Sequence, residues 1–162
     1  MPKDGVVRWT CRVAVILLGA WALQRYVWLP YRANHVLYQI DQRTEEAQKA
    51  GPYRALPAAR ENLARLDTIE GVAKTQVYYQ MLYATNARIL QRWDLAMQHF
   101  NDALAIDPRP EIYFQRGLML VERGQVDAAM PDLVLAVRFN PTLAETLDEN
   151  LQLRLVQASP PR

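Results

Sequence analysis

The chain has 162 residues, 19 Lys and Arg against 17 Asp and Glu, and a formal net charge of +2. So small a charge, with no Lys/Arg stripe interleaved with aromatics, argues against a nucleic-acid partner, and the single cysteine, Cys11, excludes an intrachain disulfide. Only two histidines and one serine, Ser159, are present, which leaves little material for catalysis.

Residues 1–12 form a basic flank carrying Lys3, Arg8 and Arg12. Cys11 lacks the apolar and small residues that precede a lipidated cysteine, so it reads as an unmodified thiol. Val13–Leu23, VAVILLGAWAL, is apolar throughout; Gln24 and Arg25 interrupt, and Tyr26-Val27-Trp28-Leu29 resumes. Three readings compete for 13–31. A transmembrane helix needs ~20 apolar residues, with ~17–25 observed; Arg25 would snorkel to the headgroups, and Tyr26, Trp28 and Tyr31 would lie in the interfacial aromatic belt. A cleaved secretory signal fits the basic start, the short apolar stretch and the small residues at Ala20-Trp21-Ala22. A buried or interfacial helix of a soluble protein is disfavoured for a segment apolar all round. The anchor is preferred because apolar character resumes after Arg25 with aromatics that a signal does not need. The charge bias gives a weak vote for the N-terminus in the cytoplasm and the rest outside. Sixteen Arg against three Lys, with abundant Ala, suggests a GC-rich genome; in a Gram-negative bacterium the expected place is the inner membrane, with the following domain in the periplasm.

Residues 32–73 read as a linker and a degenerate helical hairpin. Val36, Leu37 and Ile40 start an apolar stripe that ends near Gly51-Pro52; a loop is expected from Gly51 to Pro57; Ala59, Leu63 and Leu66 then give a second helix. The acidic cluster Asp41, Glu45 and Glu46 has helical spacing and reads as a solvated face.

The strongest signal follows. Ala84, Ala96, Phe100, Ala103 and Pro108 recur 33 residues later as Gly117, Ala129, Leu133, Ala136 and Pro141. A period of ~20–50 residues signals stacked units that bury their apolar faces against one another. Apolar residues at steps of three and four predict one helix from Tyr78 to Leu90, a turn at Arg92-Trp93-Asp94, and a second helix that Pro108 closes. The next unit repeats this, with Gly124 placed to adopt the left-handed conformation that ends many helices and Pro141 as the stop. Pro131 is tolerated in the first helical turn and kinks the helix one turn further in. Small Ala84 and Gly117 are expected to face Ala96 and Ala129 across each hairpin, with Phe100 and Leu133 between units. Residues 144–157 are expected to form a capping helix with Leu143, Leu147, Leu151, Leu153, Leu155 and Val156 on one side and Glu145, Asp148, Glu149 and Arg154 facing water. Residues 158–162 read as a disordered tail.

"RWDLAMQHFNDALAIDP" followed by "YFQRGLMLVERGQVDAAMPDLVLAVRFNP" resembles two tetratricopeptide repeats, at 77–109 and 110–143. The first lacks the family's usual early aromatic, having Gln80, and the spacing is one residue short of the usual 34. The resemblance implies an all-α fold: a transmembrane helix, then a short α-solenoid of about three hairpins and a cap. It also implies a concave groove that holds a peptide or a partner's helix. By register that groove would be lined by Tyr78, Met81, Thr85 and Arg88, then by Glu111, Phe114, Leu118 and Val121, with Arg88 and Glu111 as specificity contacts. The alternative for Phe114 and Leu118 is packing against the neighbouring unit or the cap. Met81, Thr85 and Gln115 stand where chaperone-tail receptors carry Lys, Arg and Asn, so that function is not expected.

Chemistry is sparse elsewhere. His35 and His99 fall in different units, and His99 reads as a partly exposed helix residue. Metal sites need three or four convergent ligands; no Gly-rich phosphate loop exists, and no nucleophile motif surrounds Ser159. The expectation is a non-enzymatic scaffold with no cofactor, metal, nucleic acid or small-molecule substrate. It would be a membrane-anchored subunit or assembly factor of a membrane protein complex, or a secreted peptide-binding module cut near Ala22.

Overall fold

The computed structural model describes residues 3–158, and within it the side chains of residues 3–8, 10 and 11 lie outside the description. The side chains of Lys3, Arg8 and Cys11, and residues 159–162 of the expected tail, are therefore outside the described residues. All described elements are helical: α1 (Lys3–Leu23), a π-helical turn (Gln24–Trp28), α2 (Leu29–Lys49), α3 (Pro52–Asp67), the short α4 (Glu70–Ala73), α5 (Val77–Ile89), α6 (Trp93–Ile106), α7 (Pro110–Glu122), α8 (Val126–Phe139), a 3-10 segment (Pro141–Thr146) and α9 (Glu149–Ala158).

From α1 through the π turn to α2 the chain never leaves the helix. Pro30 sits in the first turn of α2. It has no N–H, and its ring clashes with the carbonyl four residues back, which is that of Tyr26. The Leu29 N–H instead reaches the carbonyl of Gln24, five residues back. The π turn thus absorbs the proline without ending the helix. The helix is long and apolar enough to cross a membrane: an 18-residue window has a mean hydropathy of 1.4, and none of it is buried. Soon after Trp28 ends the π turn, the environment changes. Ala33, Leu37, Ile40, Thr44 and Ala47 are buried, at the steps of three and four that mark one helix face. The expected boundary at 31/32 thus falls inside α2, and no linker separates the exposed apolar helix from the packed part of the chain.

Three helical hairpins follow, α2–α3, α5–α6 and α7–α8, with α3 against α5, α6 against α7 and α9 against α8. Ala33, Leu37, Ile40, Leu63, Leu66, Ala73, Tyr79 and Leu82 form one apolar core. Ala84, Ala87, Ala96, Phe100, Ala103, Ile112, Phe114, Met119, Leu133, Leu151 and others form a second. Helix α5 belongs to both, so it joins the first hairpin to the rest.

Several details differ from the sequence reading. The loop expected over Gly51–Pro57 is only Ala50–Gly51; α3 starts at Pro52 and continues through Pro57. Proline is favoured at a first helical position, and the carbonyl that loses its partner to Pro57 belongs to Tyr53, whose side chain is almost wholly exposed. Pro131 is likewise in the second turn of α8, inside the helix. The first turn of the α5–α6 hairpin is Leu90–Arg92, and Trp93 already opens α6. The cap splits: Pro141 starts a 3-10 segment, and α9 begins only at Glu149. The Asp148 carboxylate accepts the Leu151 N–H at 2.8 Å, so Asp148 is the N-cap that sets the start. Leu147, Leu151 and Leu155 are buried, whereas Leu153 and Val156 are exposed. Glu145, Asp148, Glu149 and Arg154 face water as expected.

Gly117 faces Leu133 of its own hairpin rather than Ala129: a Cβ there would lie 2.8 Å from Leu133 Cδ2 and 3.4 Å from Asp132 Cβ. Leu133 therefore fills the inside of the α7–α8 hairpin. Beside it Arg116 makes a bidentate pair with Asp132, both bonds 2.7 Å, and donates to Asn101 of α6 at 2.6 Å. One guanidinium ties three helices together.

Candidate partner-binding surface

The first helices of the second and third hairpins, α5 and α7, carry the side chains expected to bind a partner. Tyr78, Met81 and Thr85 share one face of α5. With Val77, Leu82, Asp41 of α2, and Arg109, Glu111 and Ile112 at the start of α7, they line a cleft of about 420 Å³. Its floor is apolar and its rim is acidic. Burial, and after it the neighbouring Asp41 carboxylate, push the Tyr78 phenol above its ordinary value. Arg109 is paired with Asp107, and Glu111 accepts only a long bond, 3.4 Å, from Asn140. Among the described residues neither Asp41 nor Glu111 has an ion-pair partner. Asp41, expected as plain solvated surface, is half-buried and belongs to this cleft.

The other four expected groove residues are placed elsewhere. Arg88 donates to Gln115 at 3.0 Å and pairs with Glu122 at 3.7 Å. Its side chain is mostly covered, and it bridges α5 to α7 from a second cleft lined by Gln48, Gln91 and Trp93. Phe114 is 5% exposed and belongs to the core. Leu118 packs partly buried against that core. Val121 faces Asp148, Leu151 and Arg154 at the cap. Phe114 and Leu118 thus both pack with that core. The repeat-defining residues behave as packing residues: Ala84, Ala96, Phe100, Ala103, Gly117, Ala129, Leu133 and Ala136 are all buried. Pro108 and Pro141 each follow the C-cap of a second helix.

Sequence reasoning passed over a buried polar cluster. Asn62 of α3 donates to Thr44 of α2 and to Asn86 of α5, both at 3.0 Å, and Asn86 also donates to the Leu82 carbonyl at 2.8 Å. All three side chains are buried. The signal for it is an Asn inside the apolar stripe of α3 and another inside that of α5. On the other side of α5, His99 of α6 lies 3.9 Å from the Tyr83 ring in a stacked geometry and bonds Gln80 through Nδ1. Tyr83 donates to Asp67 at 3.0 Å. Desolvation lowers the pKa of His99; burial, then Asp67, raises Tyr83 to about 12. These groups clamp α6 to α5 and α3. Among the described residues no three His, Cys, Asp or Glu side chains converge to hold a metal ion.

No protein-family model, curated protein or solved structure matches this chain. Its surface chemistry is then what points to a ligand. The cleft combines an apolar floor with two carboxylates, Asp41 and Glu111, that have no ion-pair partner among the described residues.

Proposed function

We propose that this chain is a non-enzymatic scaffold, a single-pass membrane protein whose tetratricopeptide-type hairpins hold a protein partner as a subunit or assembly factor of a membrane complex. One observation carries the proposal: an apolar helix with no buried residue in its membrane-length window runs without a break into a stack of hairpins that presents an open cleft. Trp9 and Trp28 bracket the apolar stretch about 28 Å apart at 1.5 Å per residue, close to the ~30 Å thickness of a bilayer's hydrocarbon core. Arg12 and Arg25 lie near its two ends, within reach of headgroups. The 33-residue recurrence, its small residues buried in each hairpin and its prolines behind each second helix, supports the tetratricopeptide reading. The basic flank favours the N-terminus inside and the hairpins on the outer, periplasmic side of a bacterial inner membrane.

The test is purification of the C-terminally tagged full chain from native membranes in mild detergent, with partners and the bait's own N-terminus read by mass spectrometry. A stoichiometric membrane partner and an intact N-terminus are expected. A soluble bait that begins at Leu23 would replace the anchor with a secreted binding module. In the same pull-down a Met81→Glu protein that still unfolds cooperatively is expected to lose the partner, at some cost in stability because Met81 packs partly buried against the core. Retention of the partner by a folded Met81→Glu protein would show that the cleft is the wrong surface.

A further inference from the structure

The hairpins have a direction relative to the long helix. Tyr78 of α5 meets Asp41 of α2, and further along both helices Asn86 meets Thr44, so α5 runs the same way as α2. Ile112 lies at the Val77–Met81 end of α5 and Glu122 beside Arg88, so α7 runs that way too. Helices α3, α6 and α8 return. The turns at Gly51, Gln91 and Gly124 thus form an edge remote from α1, and the C-terminal ends of α3, α6 and α8 form the edge on the α1 side. His99 of α6 is level with Gln80 and Tyr83. Ile106, seven residues on, is about 10 Å nearer α1 at 1.5 Å per residue, towards the level where Ala33 enters the core.

That near edge carries two large apolar side chains in the open. Ile106 is 45% and Phe139 69% exposed. Each is the last residue of its helix, and they occupy the same position of successive hairpins, 33 residues apart. The equivalent turn positions at the far edge, Gln91-Arg92 and Gly124-Gln125, are polar or glycine, and the exposed large side chain there, Tyr53 beside the Gly51 turn, carries a polar hydroxyl. Immediately around Ile106 and Phe139 the charges Asp107, Arg109, Arg138 and Glu145 balance, and Asp67, Glu70, Lys74 and Glu111 leave the edge as a whole slightly acidic. We infer that this edge rests on the bilayer that holds α1, with Ile106 and Phe139 in the interfacial layer. The contact is apolar rather than an attraction to anionic lipid. The occupant follows from continuity: with no linker between the exposed apolar helix and the buried face of α2, the near edge is held at the membrane surface. The inference rests on the anchor reading above.

Site-directed spin labelling of the full chain in a Cys11→Ser background tests it. The protein is reconstituted in vesicles of phosphatidylcholine alone or mixed with phosphatidylglycerol. Labels go at Leu17→Cys in the apolar helix, at Ile106→Cys and Phe139→Cys, and at Arg123→Cys on the far edge. Expected is a higher ratio of oxygen to nickel-chelate collisions at 106 and 139 than at 123, alike in both lipid mixtures. If 17 is lipid-exposed while 106 and 139 match 123, the anchor stands and the inference falls; the two side chains then await a protein partner. If 17 is itself open to the chelate, both fall. A ratio at 106 and 139 that rises only with phosphatidylglycerol overturns the apolar contact. Both labelled side chains are exposed, so neither substitution empties the core.

Discussion

Gln91 and Gly124 occupy the same place in successive hairpins and adopt the same left-handed backbone, with φ of 55° and 81°. Both close the same motif. Arg92 N–H bonds the Ala87 carbonyl at 2.9 Å and Gln91 N–H that of Arg88 at 2.8 Å; Gln125 bonds Leu120 and Gly124 bonds Val121, both at 2.8 Å. This is the pair of bonds that satisfies orphan carbonyls at a helix end. A side chain in this conformation costs about 1–2 kcal/mol, so one hairpin carries a strain that the other avoids. Gln91→Gly is expected to stabilise the protein by roughly 0.5–1 kcal/mol, once glycine's larger chain entropy is subtracted, and Gly124→Gln to destabilise it by about the same amount. Denaturant midpoints of the two variants decide; a Gln91→Gly protein that is less stable than the wild type, or a Gly124→Gln protein that is more stable, would mean that the left-handed position carries no such strain.

Gly117 is required by Leu133. A methyl group added at Gly117 would lie 2.8 Å from Leu133 Cδ2 and 2.9 Å from its Cγ, so Gly117→Ala is expected to cost about 1–3 kcal/mol by overpacking. The cost should shrink in a Leu133→Ala background, because the two residues share one space. A double-mutant cycle with no coupling would refute the contact.

The hairpins at 77–143 were legible because proline stops and small buried residues recur at a fixed period, and a period survives errors at single positions. The Gln91 turn was displaced because Arg92-Trp93-Asp94 is locally polar, whereas the left-handed residue there is a glutamine, which carries no turn signal. The start of α9 was missed because a single aspartate, Asp148, caps it. Four of the eight expected groove residues lie outside the cleft for a different reason. Register assigns residues to a helix face, but whether that face is open depends on the neighbouring hairpin. Phe114 and Tyr78 have equally plausible spacing; only packing makes one core and the other cleft.

The Thr44–Asn62–Asn86 cluster yields an unequal pair of expectations. Asn86 donates to two acceptors and accepts from Asn62, so Asn86→Leu strands buried partners and is expected to cost about 1–3 kcal/mol. Asn62 Oδ1 has no hydrogen-bond partner. Asn62→Leu removes that unsatisfied atom along with the bonds and is expected to cost less. Chemical denaturation of both single variants measures this; a larger loss for Asn62→Leu would mean that the cluster is wired differently.

His99 makes stability depend on pH. Desolvation is the leading cause of its lowered pKa and outweighs the opposing pull of Asp102, Glu70 and Asp67. The unfolded chain, with an ordinary value of about 6.5, then binds a proton more readily than the folded one. Stability is therefore complete above about pH 6.5 and falls as the pH drops below it. Thermal unfolding of the full chain in nanodiscs is expected to shift to lower temperature between neutral pH and about pH 5.5, in the range where histidine titrates but most carboxylates do not. His99→Phe keeps a ring against Tyr83 but strands the Gln80 side chain, so it lowers the transition at every pH while flattening the slope. If the His99→Phe protein keeps the wild-type slope, the titrating group lies elsewhere, and burial of His99 between α5 and α6 contributes nothing to it.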